Sequence, residues 1–179
     1  MMKKLTEKEA LKLLRKHFDS EEAFKKVLKH SKAVQKAALN VAKDIPDVDV
    51  DFIKMGSLLH DIGRSKHPPG KGSIKHGVAG AEILRKEGFE DYALVAERHL
   101  GVGISKEDII EQGLDLPAKD YIPVSKEEKI IAYADNLVFG DEIKDDEAVV
   151  ERFRKELGEK YAERVERFHR GIEKLKKKR

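Results

Sequence analysis

The chain has 179 residues and a mass of 20.3 kDa, which at roughly 150 residues per domain predicts one domain. Apolar and charged residues each make up 40% of the chain, a composition that favours a folded protein over a disordered one. The absence of cysteine excludes disulfides, a thiol nucleophile and Cys-ligated metal sites. Histidine and carboxylate side chains therefore remain as metal ligands. The net charge of +3 is too small for a nucleic-acid footprint over the whole surface.

No apolar run approaches the roughly 18 residues of a membrane span, and the first residues lack the apolar core of a signal peptide. We therefore expect a cytoplasmic protein with no membrane partner. Asn and Gln are rare beside Lys and Glu, as in proteins from thermophiles. The basic residues at 174–179 are interpreted as a solvated helix end, with RNA or another anion as the alternative partner.

Helix signals follow one another along the chain. The pairs Thr6/Glu9, Asp19/Glu22, Ser105/Asp108 and Ser125/Glu128 have capping-box spacing, and apolar residues recur every three or four positions after them. Proline and glycine mark residues 65–75 as a loop. We predict helices over about residues 8–18, 20–43, 50–60, 76–88, 91–100, 105–113 and 125–139, and then one long charged helix.

No alternating apolar and polar run indicates a strand, so the predicted fold class is all-α. We expect a compact single-domain helical bundle with a C-terminal helical extension. The predicted divisions are an N-terminal helix over residues 1–19, a main domain over 20–140 and a charged C-terminal helix over 141–179, which packs on or extends the same domain.

Several polar residues fall on the apolar faces of these helices, and burying a charge is costly unless it is paired or binds a metal. Asp135, for example, lies between Ile131 and Val138 on a strongly apolar helix. The residues that share this placement are His30, His60, His76, His99 and Asp135. His17 and His169 show the same spacing, so spacing alone does not separate a ligand from a hydrogen-bonded core histidine.

The run Leu58-Leu59-His60-Asp61-Ile62-Gly63 resembles the defining motif of the HD superfamily of metal-dependent phosphohydrolases, in its His-Asp-Ile-Gly form (HDIG). The other positions follow the order of that family, with His30 before the pair and Asp135 far after it. His76 and His99 match the two further histidines of its two-metal branch. The resemblance covers about residues 20–140. The chain departs from it with Arg64, where family members often carry Lys, and with Arg98 before His99, where they often carry a second His.

The resemblance implies a site for one or two divalent transition-metal ions, drawn from Mn, Fe, Ni, Co and Zn. His30, His60, Asp61 and Asp135 would bind the first ion, and His76 and His99 the second, with Asp61 shared. Asp61 and Arg64 are the predicted catalytic residues. The cations predicted to bind the substrate phosphate are Arg64, Lys71, Lys75 and Arg98.

The function implied by the resemblance is hydrolysis of a phosphate monoester or diester of a nucleotide or related small molecule by a metal-activated water. Two alternatives stay open. Some proteins of this fold are oxygenases that use two irons in the same set of ligands. The other alternative is a non-catalytic regulatory module that binds a metal or a nucleotide without turnover.

Overall fold

A computed structural model describes residues 4–177 of the chain, and helices make up nearly all of its regular structure. The helices of that range are α1 Glu7–Lys16, α2 Glu21–Ala42, α3 Val50–Leu59, α4 His76–Lys86, α5 Glu90–Arg98, α6 Lys106–Gln112, α7 Lys126–Leu137, α8 Asp146–Leu157 and α9 Glu159–Leu175. Two 3₁₀ helices, Ile62–Ser65 and Ser73–Lys75, lie between α3 and α4. The all-α fold class is confirmed.

Side-chain caps begin several helices where the sequence predicts them. Thr6 and Ser105 form complete capping boxes at α1 and α6, and the Ser125 side chain caps α7. The predicted cap at Asp19 is wrong, because Ser20 is the N-cap of α2 and accepts a hydrogen bond from the backbone of Ala23. A serine one residue later competes for the same helix start, since both side chains are good caps.

The helices pack around one apolar core. α2 packs against α3 and α7, α4 packs against α5, and α3, α5 and α7 also contact one another. Leu14, Ile53, Leu84 and Ile131, from four different helices, are fully buried. This packing holds α2, α3, α5 and α7 side by side, and each of them carries or leads into a residue of the predicted metal site.

The C-terminal segment contains two helices instead of the predicted single one. The break is at Gly158, whose φ of 94° is accessible to glycine and unfavourable for other residues. α9 then packs against α8. Val149 and Phe153 of α8 and Val165 and Ile172 of α9 belong to the same core as the other helices. The segment therefore packs on the main body, while the division of the chain at residues 19 and 140 stays a prediction.

A short hairpin follows α7, and the sequence did not predict it. Strands β1 (Val138–Phe139) and β2 (Glu142–Ile143) pair antiparallel across a turn at Gly140, which has a φ of 67°. α7 consequently ends at Leu137, short of the predicted end at Phe139. Two-residue strands are too short to show an alternating pattern. No helix among residues 4–177 is both long and apolar enough to cross a lipid bilayer.

Candidate metal centre and active site

The predicted metal ligands come together at one place, with the carboxylate of Asp61 in the middle. Its Oδ2 lies 3.8 Å from Nε2 of His30 and 3.8 Å from Nε2 of His60. Its Oδ1 lies 3.1 Å from Nε2 of His76 and 3.4 Å from Nε2 of His99. The two oxygens of one carboxylate therefore face two different pairs of histidines.

Asp135 completes the first of these two groups. Its Oδ1 lies 2.9 Å from Nε2 of His30 and 3.3 Å from Nε2 of His60. In the second group, Nε2 of His76 and Nε2 of His99 are 3.0 Å apart. The described residues thus contain three overlapping groups of possible metal ligands, which are His30, His60 and Asp61, then His60, His99 and Asp135, and then Asp61, His76 and His99.

Each histidine of the site is oriented by a backbone carbonyl. Nδ1 lies within hydrogen-bond distance of the carbonyl of Gly140 for His30, of Ser57 for His60, of Ser73 for His76 and of Ala96 for His99, at 2.6, 2.7, 2.6 and 2.8 Å respectively. A carbonyl only accepts, so each Nδ1 carries the hydrogen and each Nε2 points into the cluster. This is the outer-shell arrangement typical of metal-ligating histidines.

Burial makes the arrangement unfavourable without a positive charge. His60 is fully buried, and its Nε2 has no hydrogen-bond partner in the part of the chain that the structure describes. The Nε2 atoms of His76 and His99 present lone pairs to each other at 3.0 Å unless a proton or a metal ion lies between them. Imidazole nitrogens and carboxylate oxygens in this number are ligands for a divalent transition metal. The residues present therefore fit such a cofactor.

The charges of the site point the same way. Burial alone would raise the pKa of Asp61, but a positive charge on His60 and the hydrogen bonds that His76 and His99 donate from Nε2 when both ring nitrogens are protonated hold it well below its usual range. The pKa of Asp135 is lowered against its burial by His60 and His30. Burial alone would lower the pKa of His30, yet its hydrogen bond to Asp135 and the nearby carboxylate charges raise it to about 9. The lowered pKa values favour the ionised form of both carboxylates, which is the form that binds a cation.

The backbone brings the two halves of the cluster together through glycine. Gly63 follows the His60-Asp61 pair and lies so close to α4 that a Cβ there would be 1.8 Å from the carbonyl oxygen of His76. Gly80 of α4 faces Gly63 from the other side, with its Cβ position 3.1 Å from the Gly63 nitrogen. The glycine of the sequence motif therefore has a packing role. It lets the turn after α3 approach the start of α4.

Arg64 is the one predicted substrate-binding cation that lines the cavity next to the cluster. Its Nε lies 3.5 Å from Oδ1 of Asp61. Nη1 is buried and has no hydrogen-bond partner among residues 4–177. A buried guanidinium N–H of this kind is suited to an anionic ligand.

The other three predicted cations lie outside the cavities that reach the cluster. Arg98 is turned towards α7, where its Nη1 contacts the Glu128 carboxylate at 3.1 Å. Lys75 pairs with Asp115 at 2.5 Å, and Lys71 is exposed in the loop. These three side chains do not line the site. Arg98 and Lys75 form ion pairs with carboxylates, and Lys71 is exposed to solvent.

The cavity also contains residues that the sequence analysis missed. Its volume is about 590 Å³, and α6, α8 and α9 form the wall opposite the cluster. Arg152 of α8 lines it, with the guanidinium carbon 4.3 Å from the centre of the Phe139 ring. Arg152 forms no ion pair with any of residues 4–177. No local signal marks this arginine, since only the packing of α8 brings it to the cavity.

His17 and His169, which share the apolar spacing of the predicted ligands, lie away from the site. His17 contacts Glu87 at 3.0 Å and His169 contacts Asp146 at 3.3 Å. Neither is part of the metal cluster found among the described residues. Apolar spacing therefore does not distinguish them, while position in the folded chain does.

Comparison with known sequences identifies relatives. The family model of the HD domain matches residues 27–140. The uncharacterized protein MJ0778 of Methanocaldococcus jannaschii is 48% identical over 75% of this chain and 79% of its own length. The tRNA (cytidine(56)-2'-O)-methyltransferases of Thermoplasma volcanium and Picrophilus torridus are 39% and 40% identical over 80% and 84% of this chain. The chain spans only 41% and 42% of those two proteins.

Solved structures share the fold. The crystal structure of the HD domain of the L. monocytogenes phosphodiesterase PgpH has a TM-score of 0.54 and 18% identity, and the match covers 93% of this chain and 96% of that one. The same domain in complex with cyclic-di-AMP has a TM-score of 0.56 and 20% identity, covering 91% and 84%. At these identities the likeness concerns the fold.

Proposed function

The chain belongs to the HD domain family, and we propose that it is a metal-dependent phosphohydrolase of phosphate monoesters or diesters. The observation that carries the proposal is the position of the Asp61 carboxylate between two groups of histidine Nε2 atoms. A carboxylate shared in this way is the donor arrangement that a pair of divalent cations requires. When bound, such cations lower the pKa of water and stabilise the attacking and leaving oxygens of a phosphoryl displacement.

The protein residues then supply orientation and charge. His30, His60, Asp61 and Asp135 would hold the first cation, and His76, His99 and Asp61 the second. Arg64 lies beside Asp61 with a buried N–H that has no protein acceptor within the described range. We assign it to a substrate phosphate oxygen, which would accept a charge-assisted hydrogen bond. Lys71, Lys75 and Arg98 receive no such role here, since other groups or solvent occupy their charges.

We further propose that the substrate is a nucleotide or a related phosphorylated small molecule. The cavity of about 590 Å³ falls within the range of small-molecule sites. Its wall includes the planar cation of Arg152 beside apolar surface, while the amide nitrogens of Gln112 and Asn136 already donate to Tyr161 and Gly101. The PgpH domain, a structural relative, binds cyclic-di-AMP, and two sequence relatives are named as tRNA methyltransferases. These names support a nucleotide-type ligand, and RNA is the alternative partner suggested by the basic C-terminal residues.

The decisive experiment combines metal analysis with a substrate screen. Protein purified without chelator is analysed for bound metals, loaded separately with Mn, Fe, Co, Ni and Zn, and assayed on a panel of phosphate mono- and diesters. We expect bound transition metal and release of phosphate or alcohol from at least one ester. Protein that neither carries nor gains metal would contradict the site assignment.

The same samples test the two alternatives. Iron at two ions per chain together with substrate-dependent oxygen consumption would identify an oxygenase. Tight nucleotide binding without turnover under any metal would identify a regulatory module. Either result would replace the phosphohydrolase proposal.

A further inference from the structure

Two cavities reach the metal centre from different sides. The first, which we call the α9-side cavity, lies between the cluster and helices α6, α8 and α9. The second, the α2-side cavity, lies between α2, the prolines of the 65–75 loop and the turn at Gly140. Both have a volume of about 590 Å³, and both are lined by His30, Asp61 and Arg64. These three residues therefore form a wall common to both cavities, and we call this place the junction.

We propose that the substrate is a phosphodiester whose phosphate lies at this junction and whose two ester substituents occupy one cavity each. This inference rests on the proposed phosphohydrolase function and narrows it. A monoester has one substituent and would leave the other cavity to water. Each cavity is large enough for a nucleoside-sized group, since small-molecule sites span roughly 300–1,000 Å³.

The shared wall suits the phosphate. Arg64 lines both cavities, and its buried Nη1 has no acceptor within residues 4–177. A non-bridging phosphate oxygen at the junction would accept that hydrogen bond while the phosphorus lies beside the metal ligands. One cation on the common wall can therefore serve a phosphate whose two substituents diverge.

The outer walls suit two organic substituents. In the α9-side cavity, Arg152 lies over the Phe139 ring and carries no ion pair with the described residues, so its planar guanidinium can stack on a nucleobase. In the α2-side cavity, Phe18, Val27 and Pro68 provide apolar surface for the second group. Linear dinucleotides are substrates of this shape.

The reaction balances without an additional reactant. A water oxygen forms a new bond to phosphorus and the bond from phosphorus to one ester oxygen breaks. One proton of the water is transferred to the departing oxygen, which leaves as an alcohol, and the other is released to solvent. The products are one alcohol and one phosphate monoester, each in its own cavity.

The test fills one cavity at a time. Ala23 is exposed on α2 and lines the α2-side cavity, and Leu157 is 52% exposed at the end of α8 and lines the α9-side cavity. Ala23→Trp and Leu157→Trp place a large ring in each space. Ala118→Trp and Ile110→Trp are matched controls, because both positions are exposed and line neither cavity.

The metal-loaded proteins are assayed on the dinucleoside monophosphate ApA and on p-nitrophenyl phosphate. We expect wild type to prefer the diester, and each cavity-filling variant to lower the ratio of diester to monoester kcat/KM by about tenfold or more, while the controls keep the wild-type ratio. Calorimetry with a non-hydrolysable methylenephosphonate analogue of ApA supplies a second readout. Its affinity should fall in the same two variants.

Folding is checked by circular dichroism, and Lys26→Trp, at another exposed position on the α2-side cavity, replaces Ala23→Trp if that variant does not fold. An unchanged ratio and affinity in the α2-side variant would overturn the diester inference and leave the phosphohydrolase proposal intact. A wild-type preference for the monoester would do the same. If no metal-loaded wild-type sample hydrolyses any ester of the wider screen, the proposed function fails and the diester inference with it.

Discussion

At the scale of single residues, Asp61 is central to the site because its two carboxylate oxygens face different pairs of histidines. Removing it would take a donor from both groups at once. Arg64, three residues later, contacts the same carboxylate, but its guanidinium has only N–H groups and cannot bind a cation. Replacement of Asp61 and replacement of Arg64 should therefore have different effects on metal content and on kinetics.

We expect Asp61→Ala to lose metal and to lower kcat/KM by more than about 100-fold. Replacing a residue that only supports a metal ligand typically costs about 10- to 100-fold, and a ligand should cost more. Arg64→Ala should keep its metal and lower kcat/KM by roughly 10- to 100-fold, mainly through KM, because it removes one charged hydrogen bond. Elemental analysis and steady-state kinetics on the same samples measure both. His17→Ala and His169→Ala are the controls and should retain metal. Equal, mild effects of Asp61→Ala and Arg64→Ala would contradict the assigned roles.

His76 and His99 test whether a second ion binds. Their double replacement by alanine should lower the metal content from about two ions to about one and slow hydrolysis, since the group around His30 and Asp135 remains. Metal analysis, thermal unfolding and kinetics are measured together. Unchanged metal with a lower melting temperature would indicate packing histidines, and unchanged metal with a higher KM would indicate that they bind phosphate. Either result would argue against a second metal site.

At the scale of secondary-structure elements, the closest approach at the site is between the turn after α3 and the start of α4. A methyl group on Gly63 would lie 1.8 Å from the His76 carbonyl oxygen and 2.5 Å from the Gly80 nitrogen. Both neighbours are backbone atoms, which cannot rotate out of the way. The two elements would have to separate.

We therefore expect Gly63→Ala to lower the free energy of unfolding by about 3 kcal/mol or more, and to weaken metal binding by moving His76 away from Asp61. Gly171→Ala is the matched control. Beyond the backbone of α9 itself, no atom of the described residues lies within 4 Å of a methyl group added at Gly171, in the C-terminal half of α9, so this change should raise stability by about 0.5–1 kcal/mol. Urea unfolding of both variants gives the comparison. Wild-type stability of Gly63→Ala would show that the backbones are not this close.

Arg98 joins two other elements. It reaches from α5 to the carboxylate of Glu128 at the start of α7, which is buried and also accepts from the Val124 nitrogen. We expect Arg98→Ala to lower the free energy of unfolding by about 1–3 kcal/mol, because a buried carboxylate loses its charged donor. KM should stay near the wild-type value, the reverse of Arg64→Ala. A raised KM with unchanged stability would instead support the predicted role of Arg98 in binding the substrate.

At the scale of the whole molecule, the candidate metal centre joins distant parts of the chain. The bond between His30 and Asp135 spans 105 residues, and the one between His30 and the Gly140 carbonyl spans 110. A cation held by α2, α7 and the turn after α3 binds the folded state and not the unfolded chain. Metal binding should therefore stabilise the entire fold.

We expect chelation to lower the melting temperature. A free ion at 100 times its dissociation constant contributes about 2.7 kcal/mol, which at roughly 2–4 °C per kcal/mol for a chain of this size corresponds to about 5–10 °C. Differential scanning calorimetry with and without chelator measures the change. Asp61→Ala serves as the control, because chelator should then have no further effect. An equal shift in that variant would show that the stabilising ion binds elsewhere.

Some properties stay predictions at this scale. The cytoplasmic location is predicted from the lack of a long apolar run in the sequence, and the heat-adapted character is predicted from composition. The two-ion content, the roles of the site residues and the substrate await the experiments above. The coarser statements, an all-α chain of the HD domain family with clustered donors that fit a metal, do not depend on them.

Local patterns in the sequence predicted most helices and the residues that cluster as possible metal ligands. Helix starts such as Thr6 and Ser105 depend on hydrogen bonds between residues three positions apart, so a local pattern is enough to find them. The donors were found because charged residues on apolar faces need a partner, and because their order resembles a known family. Local sequence signals misplaced helix ends by one or two residues where two neighbouring positions are both suitable, as at Asp19 and Ser20 and at the end of α7.

The directions of the remaining side chains depend on how the helices pack in the folded chain. Arg98 precedes a predicted ligand, yet it faces α7 because Glu128 lies within reach there. Arg152 lies outside the resemblance, yet it lines the cavity because the break at Gly158 lets α8 and α9 pack together against the core. The two cavities also exist only in the folded chain, since their walls come from segments far apart in sequence. Helix periodicity describes contacts within a few residues, whereas these positions depend on packing between helices, which no local pattern records.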